Sequence, residues 1–195
     1  DAPICSSTET AKVPWGPVLA LGLALLGAYI LDSAAQNWSA VYLNDATLSG
    51  EAVAALGYGV YSLVLLLGRV VVDRLDQRFG PVLLTRAGAV IALVSVIVIV
   101  VAPTPLFALI GFGLMGLGIA PIMPLAFTAA ASHDPGGTGR AIAVVNIFNY
   151  VGVLLGAPLI GVISEVSNLR VAFAVLAFGP VLIFALAKSF RANTI

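Results

Sequence analysis

Few residues in this chain could do chemistry, and most of them lie inside apolar runs. Asp32 is the only acidic residue well inside such a run. A charge at the centre of a span costs about 2.5–3.5 kcal/mol or more, so its expected place is an interior cavity, relaying protons or binding solute. A second reading leaves Asp32 hydrated near the outer face, because Trp38, an interfacial residue type, follows within two turns. Asn146 and Asn149 stand three apart, and Tyr150 makes an i, i+4 pair with Asn146, so the three share a helical face. Amides inside a span either line a pathway or hydrogen-bond to a neighbouring helix. Gln36, Asn37, Tyr58 and Tyr61 are weaker candidates of the same kind. His133, in a polar loop, reads as solvated surface.

No catalytic constellation accompanies them. There is one histidine and one cysteine (Cys5, in a polar head), with no G-x-S-x-G sequence, metal-ligand cluster or Walker lysine. The expectation is a protein that is not an enzyme and uses no metal or cofactor. Gly111-Phe112-Gly113-Leu114-Met115-Gly116 fits the dinucleotide fingerprint, but it lies inside an apolar run rather than between a strand and a helix, so it reads as helix packing. Gly152 and Gly156 form a G-x-x-x-G pair, expected to make a contact within the bundle, with dimerisation as the alternative.

The elements that carry these residues follow from composition. The chain is 61% hydrophobic and only 9% charged, with a mean hydropathy of +1.10. Soluble domains carry about 25% charged residues. So much apolar surface requires lipid around it. Net charge is zero, which gives no reason to expect a nucleic-acid partner. The runs are apolar on every face and too long for barrel strands. A spanning helix needs about 20 apolar residues. Six runs qualify, at 15–38, 51–72, 82–102, 105–131, 140–163 and 170–188. They form a helical unit over 14–190, with a polar head (1–13) and a tail (191–195). Ala102-Pro103-Thr104-Pro105 divides the uncharged stretch from Ala87 to Ser132 into two spans.

Six spans place both termini on one side. With that side cytoplasmic, Lys12, Arg69, Arg74, Arg78, Arg86, Arg140, Lys188 and Arg191 lie inside, and only Arg170 lies outside. Trp15 and Trp38 then mark opposite ends of the first span. The expected location is the cell inner membrane.

The segment Gly68-Arg69-Val70-Val71-Val72-Asp73-Arg74-Leu75-Asp76-Gln77-Arg78-Phe79-Gly80 resembles the cytoplasmic signature of the major facilitator superfamily, roughly G-x-x-x-D-R-x-x-x-R-x-G. Asp32 through Leu43 also resembles a seventh-span segment of a bacterial sugar and drug facilitator branch, with Asp32 and Asn37 where that branch tends to have acidic residues. The resemblance implies an all-α fold: the C-terminal six-helix half of a twelve-helix transporter. Its partners would be the lipid bilayer, the N-terminal half, a small solute and protons. It also implies a cytoplasmic gate built from Gly68, Arg69, Asp73, Arg74, Arg78 and Gly80, in which Asp73 pairs with the arginine and with the helix N-terminus near Gly139-Arg140. Two alternatives stand beside the transporter: a non-transporting assembly or signalling module with the same fold, and a short transporter that dimerises through Gly152 and Gly156.

Overall fold

The computed structural model describes residues 13–134 and 136–191; the polar head, Lys12 and the last four residues lie outside the described residues. The described chain is helical throughout, with no strand. In order come α1 (Trp15–Thr47), α2 (Glu51–Phe79), α3 (Pro81–Val101), α4 (Pro105–Ile119), α5 (Ile122–Ser132), α6 (Arg140–Val166), α7 (Leu169–Val175) and α8 (Phe178–Leu186), closed by a 3₁₀ turn, Ala187–Phe190. α4 with α5, and α7 with α8 and the closing turn, each form one broken span, so six helices are long and apolar enough to cross a membrane.

The breaks follow the local chemistry. Pro103 and Pro105 end α3, and Pro105 opens α4, where its missing N–H is no loss. The α4–α5 break falls at Ala120-Pro121. Gly80 turns the chain from α2 into α3 at φ +78°, a conformation that a side chain would strain, and Pro81 starts α3 directly.

At 33 residues, α1 is the longest helix and the core of the bundle. It packs on α2, α4, α5, α6 and α8. α2 and α6 bury only a stripe each: Ala54, Gly57, Tyr61, Gly68 and Val72 on one, Ala141, Val145, Gly152, Gly156 and Ile160 on the other. Small residues set the helix spacing. A Cβ on Gly111 would meet Ile99 at 2.5 Å, and one on Gly116 would meet the Tyr61 carbonyl at 2.4 Å. The dinucleotide-like glycines therefore seat α4 against α3 and α2. Gly152 and Gly156 face Leu26, Tyr29, Ile30 and Ser33 of α1, a contact within the bundle.

One end of the bundle carries Arg74, Arg78, Arg86 and Arg140. At the opposite end, Tyr42, Phe112 and Phe173 meet edge to face, with ring centroids 5.0–6.0 Å apart.

Candidate functional site

Asp32 stands one residue past the midpoint of α1. The helix continues nine residues past Trp38, to Thr47. The helix outruns its most apolar stretch, so its true end is hard to see in the sequence. Asp32 is 7% exposed. One carboxylate oxygen accepts from the Tyr61 hydroxyl of α2, the other from Gln36 Nε2 at 2.7 Å. Tyr58, half exposed, stacks on Tyr61 with centroids 6.4 Å apart. The sequence ranked Tyr61 among the weaker candidates; its burial and its bond to Asp32 make it central.

The other polar candidates do not join this network. Asn37 turns its amide back to the Ser33 carbonyl at 2.7 Å, which satisfies it within α1. On α6, Asn149 donates to Asn146 at 3.0 Å, and Tyr150 projects outward, 68% exposed. Two other bonds bind α1 to α6. Ser33 Oγ donates to the Val153 carbonyl at 2.9 Å, and Trp38 Nε1 donates to the Ala157 carbonyl at 2.9 Å.

The signature segment divides by role. Gly68 lies five residues before Asp73, one more than the signature spacing; its place is one of packing, since a Cβ there would meet Ala120 Cβ at 2.7 Å. Gly80 makes the α2–α3 turn. Arg78 lies over the Phe79 ring, 5.4 Å from its centroid. Arg69 reaches Met123 Sδ at 3.1 Å, and no ion pair within 4.0 Å is found among the described residues. Arg69, Asp73, Tyr29, Met123 and Phe127 line a cavity of about 450 Å³ between α1, α2 and α5.

The N-terminus of α6 is served by Asp134. Desolvation disfavours its charge, but hydrogen bonds from Thr138, with the backbone N–H groups of Thr138, Gly139 and Arg140, outweigh it and hold the carboxyl below its ordinary value. The Thr138 hydroxyl lies 3.1 Å from both oxygens. His133 is buried, not solvated as expected, with Nδ1 2.7 Å from the Ala129 carbonyl. It closes α5, where the last carbonyls need donors.

Arg170 is the one cation expected at the opposite end. It joins the C-terminal ends of α1 and α3, donating to the Val100 carbonyl at 2.8 Å, to Ala102 at 2.7 Å and to Ala46 at 3.3 Å. A cation is favoured at helix C-termini, and a guanidinium can serve several carbonyls at once. Asn168 just before it caps α7 through Val171 N at 3.0 Å.

Tyr29, Arg69 and Asp73 line the cavity where α1, α2 and α5 meet, and the Asp32–Tyr61 bond joins α1 to α2, whereas the groove between α3 and α8 is lined by Ala89, Val90, Leu93, Pro180, Val181 and Phe184. The family model described as Major Facilitator Superfamily matches residues 18–194. The chain belongs to the major facilitator superfamily. It is a multi-pass membrane protein of a transporter family. It is 34% identical over 175 residues to an uncharacterized transporter of Sinorhizobium fredii, covering 90% of this chain and 46% of that protein. It is 30% identical over 181 residues to an uncharacterized MFS-type transporter of Yersinia pestis, covering 93% and 46%. Against membrane protein MosC of Rhizobium meliloti the figures are 29% over 163 residues, 83% and 40%. The chain therefore spans less than half the length of these relatives. In fold it is similar to the E. coli fucose:proton symporter FucP, with a TM-score of 0.80 at 18% identity over 91% of this chain and 43% of that one. FucP in the outward conformation gives 0.81 at 18%, covering 95% and 44%. The major facilitator fold expected from the sequence is the fold found.

Proposed function

We propose that this chain is the C-terminal six-helix half of a secondary transporter that moves a small solute by alternating access, with Asp32 as a proton- or solute-binding carboxylate. The observation that carries the proposal is Asp32 itself. A carboxylate at the middle of the longest helix, held by Tyr61 and Gln36, is costly to keep in lipid and is retained where it does work. Gln36, Asn37, Tyr58, Asn146, Asn149 and Tyr150 line the same pathway in this reading, where a second half would face them. Substrate sites of transporters built from repeats lie near the midplane between the halves. That the fold neighbour FucP is a proton symporter supports coupling to protons here.

The arginine-rich end is the cytoplasmic end under the positive-inside rule, which puts both ends of the chain inside and the protein in the cell inner membrane. Gly68, Arg69, Asp73, Arg74, Arg78 and Gly80 then form the cytoplasmic gate, with Asp134 holding the start of α6 ready for it.

The test uses the transporter containing this chain, reconstituted in proteoliposomes around a pH-sensitive dye. Solute classes are screened for proton flux, native protein against Asp32→Asn. Solute-dependent flux that vanishes in the variant supports the proposal. Flux that survives keeps the transporter and removes Asp32 from the relay. No movement of any solute, by dye and by radiolabel, rejects transport.

A further inference from the structure

Arg69 presents a problem that its place in the gate signature does not solve. It sits ten residues before the end of α2, with its side chain in the cavity of about 450 Å³ between α1, α2 and α5. A guanidinium carries five N–H donors and is never neutral in a protein. Among the described residues its polar contact is Met123 Sδ at 3.1 Å, and a thioether is a weak acceptor. Asp73 stands at i+4, the spacing at which a helical ion pair forms, yet no pair within 4.0 Å is present among the described residues. Arginine before the acid is the weaker order for such a pair, because both charges then oppose the helix dipole. The cation lines this cavity together with Tyr29, which stands one turn from Asp32 on α1.

We propose that Arg69 binds the carboxylate of a monoanionic solute, with the Tyr29 hydroxyl completing the site. The inference rests on the transport reading and names its substrate class. A cation with unused donors in a cavity of this size fits a planar carboxylate, which accepts two parallel N–H bonds from one guanidinium. Carboxylates set the charge limit. Asp73 lines the same cavity and Asp32 lies one turn from Tyr29 on α1, so like charge disfavours a dianion such as a phosphate monoester. A neutral solute leaves the guanidinium unsatisfied. A proton taken up by Asp32 lowers the local negative charge and so favours entry of the anion, which couples the two.

The experiment compares Arg69→Gln and Arg69→Lys with the native transporter containing this chain. Binding is read in detergent as the thermal shift with lactate, benzoate, glucose 6-phosphate, glucose and choline. Uptake of the same radiolabelled compounds is read in proteoliposomes. The expected result is a response confined to the monocarboxylates, an apparent affinity at least about tenfold weaker in Arg69→Gln, and an intermediate loss in Arg69→Lys, which keeps the charge but not the fork. If Arg69→Gln does not fold, the loss in Arg69→Lys decides. Glucose or choline taken up with KM unchanged in the variants overturns the inference and leaves the transporter standing. Preference for glucose 6-phosphate overturns the monoanion assignment. Arg69-dependent carboxylate binding without uptake of any compound keeps the site and rejects transport. Lower stability of Arg69→Gln with unchanged solute affinity overturns the inference in favour of a carboxylate from another segment. Neither binding nor uptake rejects both.

Discussion

The seam between α1 and α6 holds the helix that carries Asp32, and three glycines along it form a graded test. A Cβ on Gly156 would sit 2.6 Å from Ser33 Cβ and 2.8 Å from the Ile30 carbonyl; one on Gly152 would sit 2.8 Å from Tyr29 Cβ and 3.0 Å from the Leu26 carbonyl. One on Gly161 would sit 3.3 Å from the Trp38 ring, with no backbone in the way. Ordinary contact begins at 3.4 Å, so Gly156→Ala requires the helices to part by the difference between 3.4 and 2.6 Å, or 0.8 Å. Overpacking of this kind costs about 1–3 kcal/mol. Parting also strains the bond from Ser33 to Val153, worth about 0.5–1.5 kcal/mol. Alanine returns about 1 kcal/mol of helix propensity at each site. Gly156→Ala should therefore destabilise by about 1–3 kcal/mol, Gly152→Ala by somewhat less, and Gly161→Ala should be neutral or stabilising. The double variant Gly152→Ala/Gly156→Ala should cost less than the sum, because one separation relieves both clashes. The assay is unfolding in mixed detergent–SDS micelles followed by circular dichroism, on the transporter containing this chain. Equal costs at 156 and 161, or strict additivity of the pair, would refute the close-packed seam.

Three further outcomes follow from the same geometry. Arg170→Leu should lose at least about 2 kcal/mol of stability, because three helix-end carbonyls lose a charged donor; the same unfolding assay checks it, and a neutral result would place those carbonyls in water. Asp134 has a depressed folded value, so its contribution is present above the ordinary carboxylate value of about 3.9 and is lost as pH falls through the lower folded value. Asp134→Ala should flatten that acid limb of the stability–pH curve, and an unchanged limb would remove Asp134 from the cap. Tyr61→Phe keeps the ring but takes a donor from Asp32, at an expected cost of about 1.5–3 kcal/mol in stability and with impaired solute-driven proton flux; flux and stability both unchanged would mean that this bond plays no part.

The six helices were legible because lipid leaves one solution for long apolar runs, and Pro103, Pro105 and Gly80-Pro81 mark their ends. The length of α1 was not. Its last nine residues, Ser39 to Thr47, lie past the first apolar run, yet the helix continues, with Tyr42 and Leu43 buried against the bundle. That extension puts Asp32 near the middle of the helix. Asp32 itself was visible as an isolated charge, whereas its partner Tyr61 was one tyrosine among five, since a contact between helices leaves no trace in spacing along one. Arg170 had a faint signal, as the one arginine on the wrong side of the charge asymmetry. Its three carbonyl partners come from α1 and α3, far away in sequence, and only the fold brings them together.

The two ends of the bundle are held by different contacts. The opposite end is fixed by Arg170 and by the Tyr42, Phe112 and Phe173 rings, contacts that join α1, α3, α4 and α7. Among the described residues, the arginine-rich end shows no comparable polar tie between α2 and the rest: Arg69 rests on Met123, and Asp134 accepts from Thr138 ahead of α6. The α4–α5 break at Ala120-Pro121 lies beside Gly68 of α2. Met123, which Arg69 contacts, lies just past that break. Asp32 lies between the two ends, bonded to Tyr61 and Gln36.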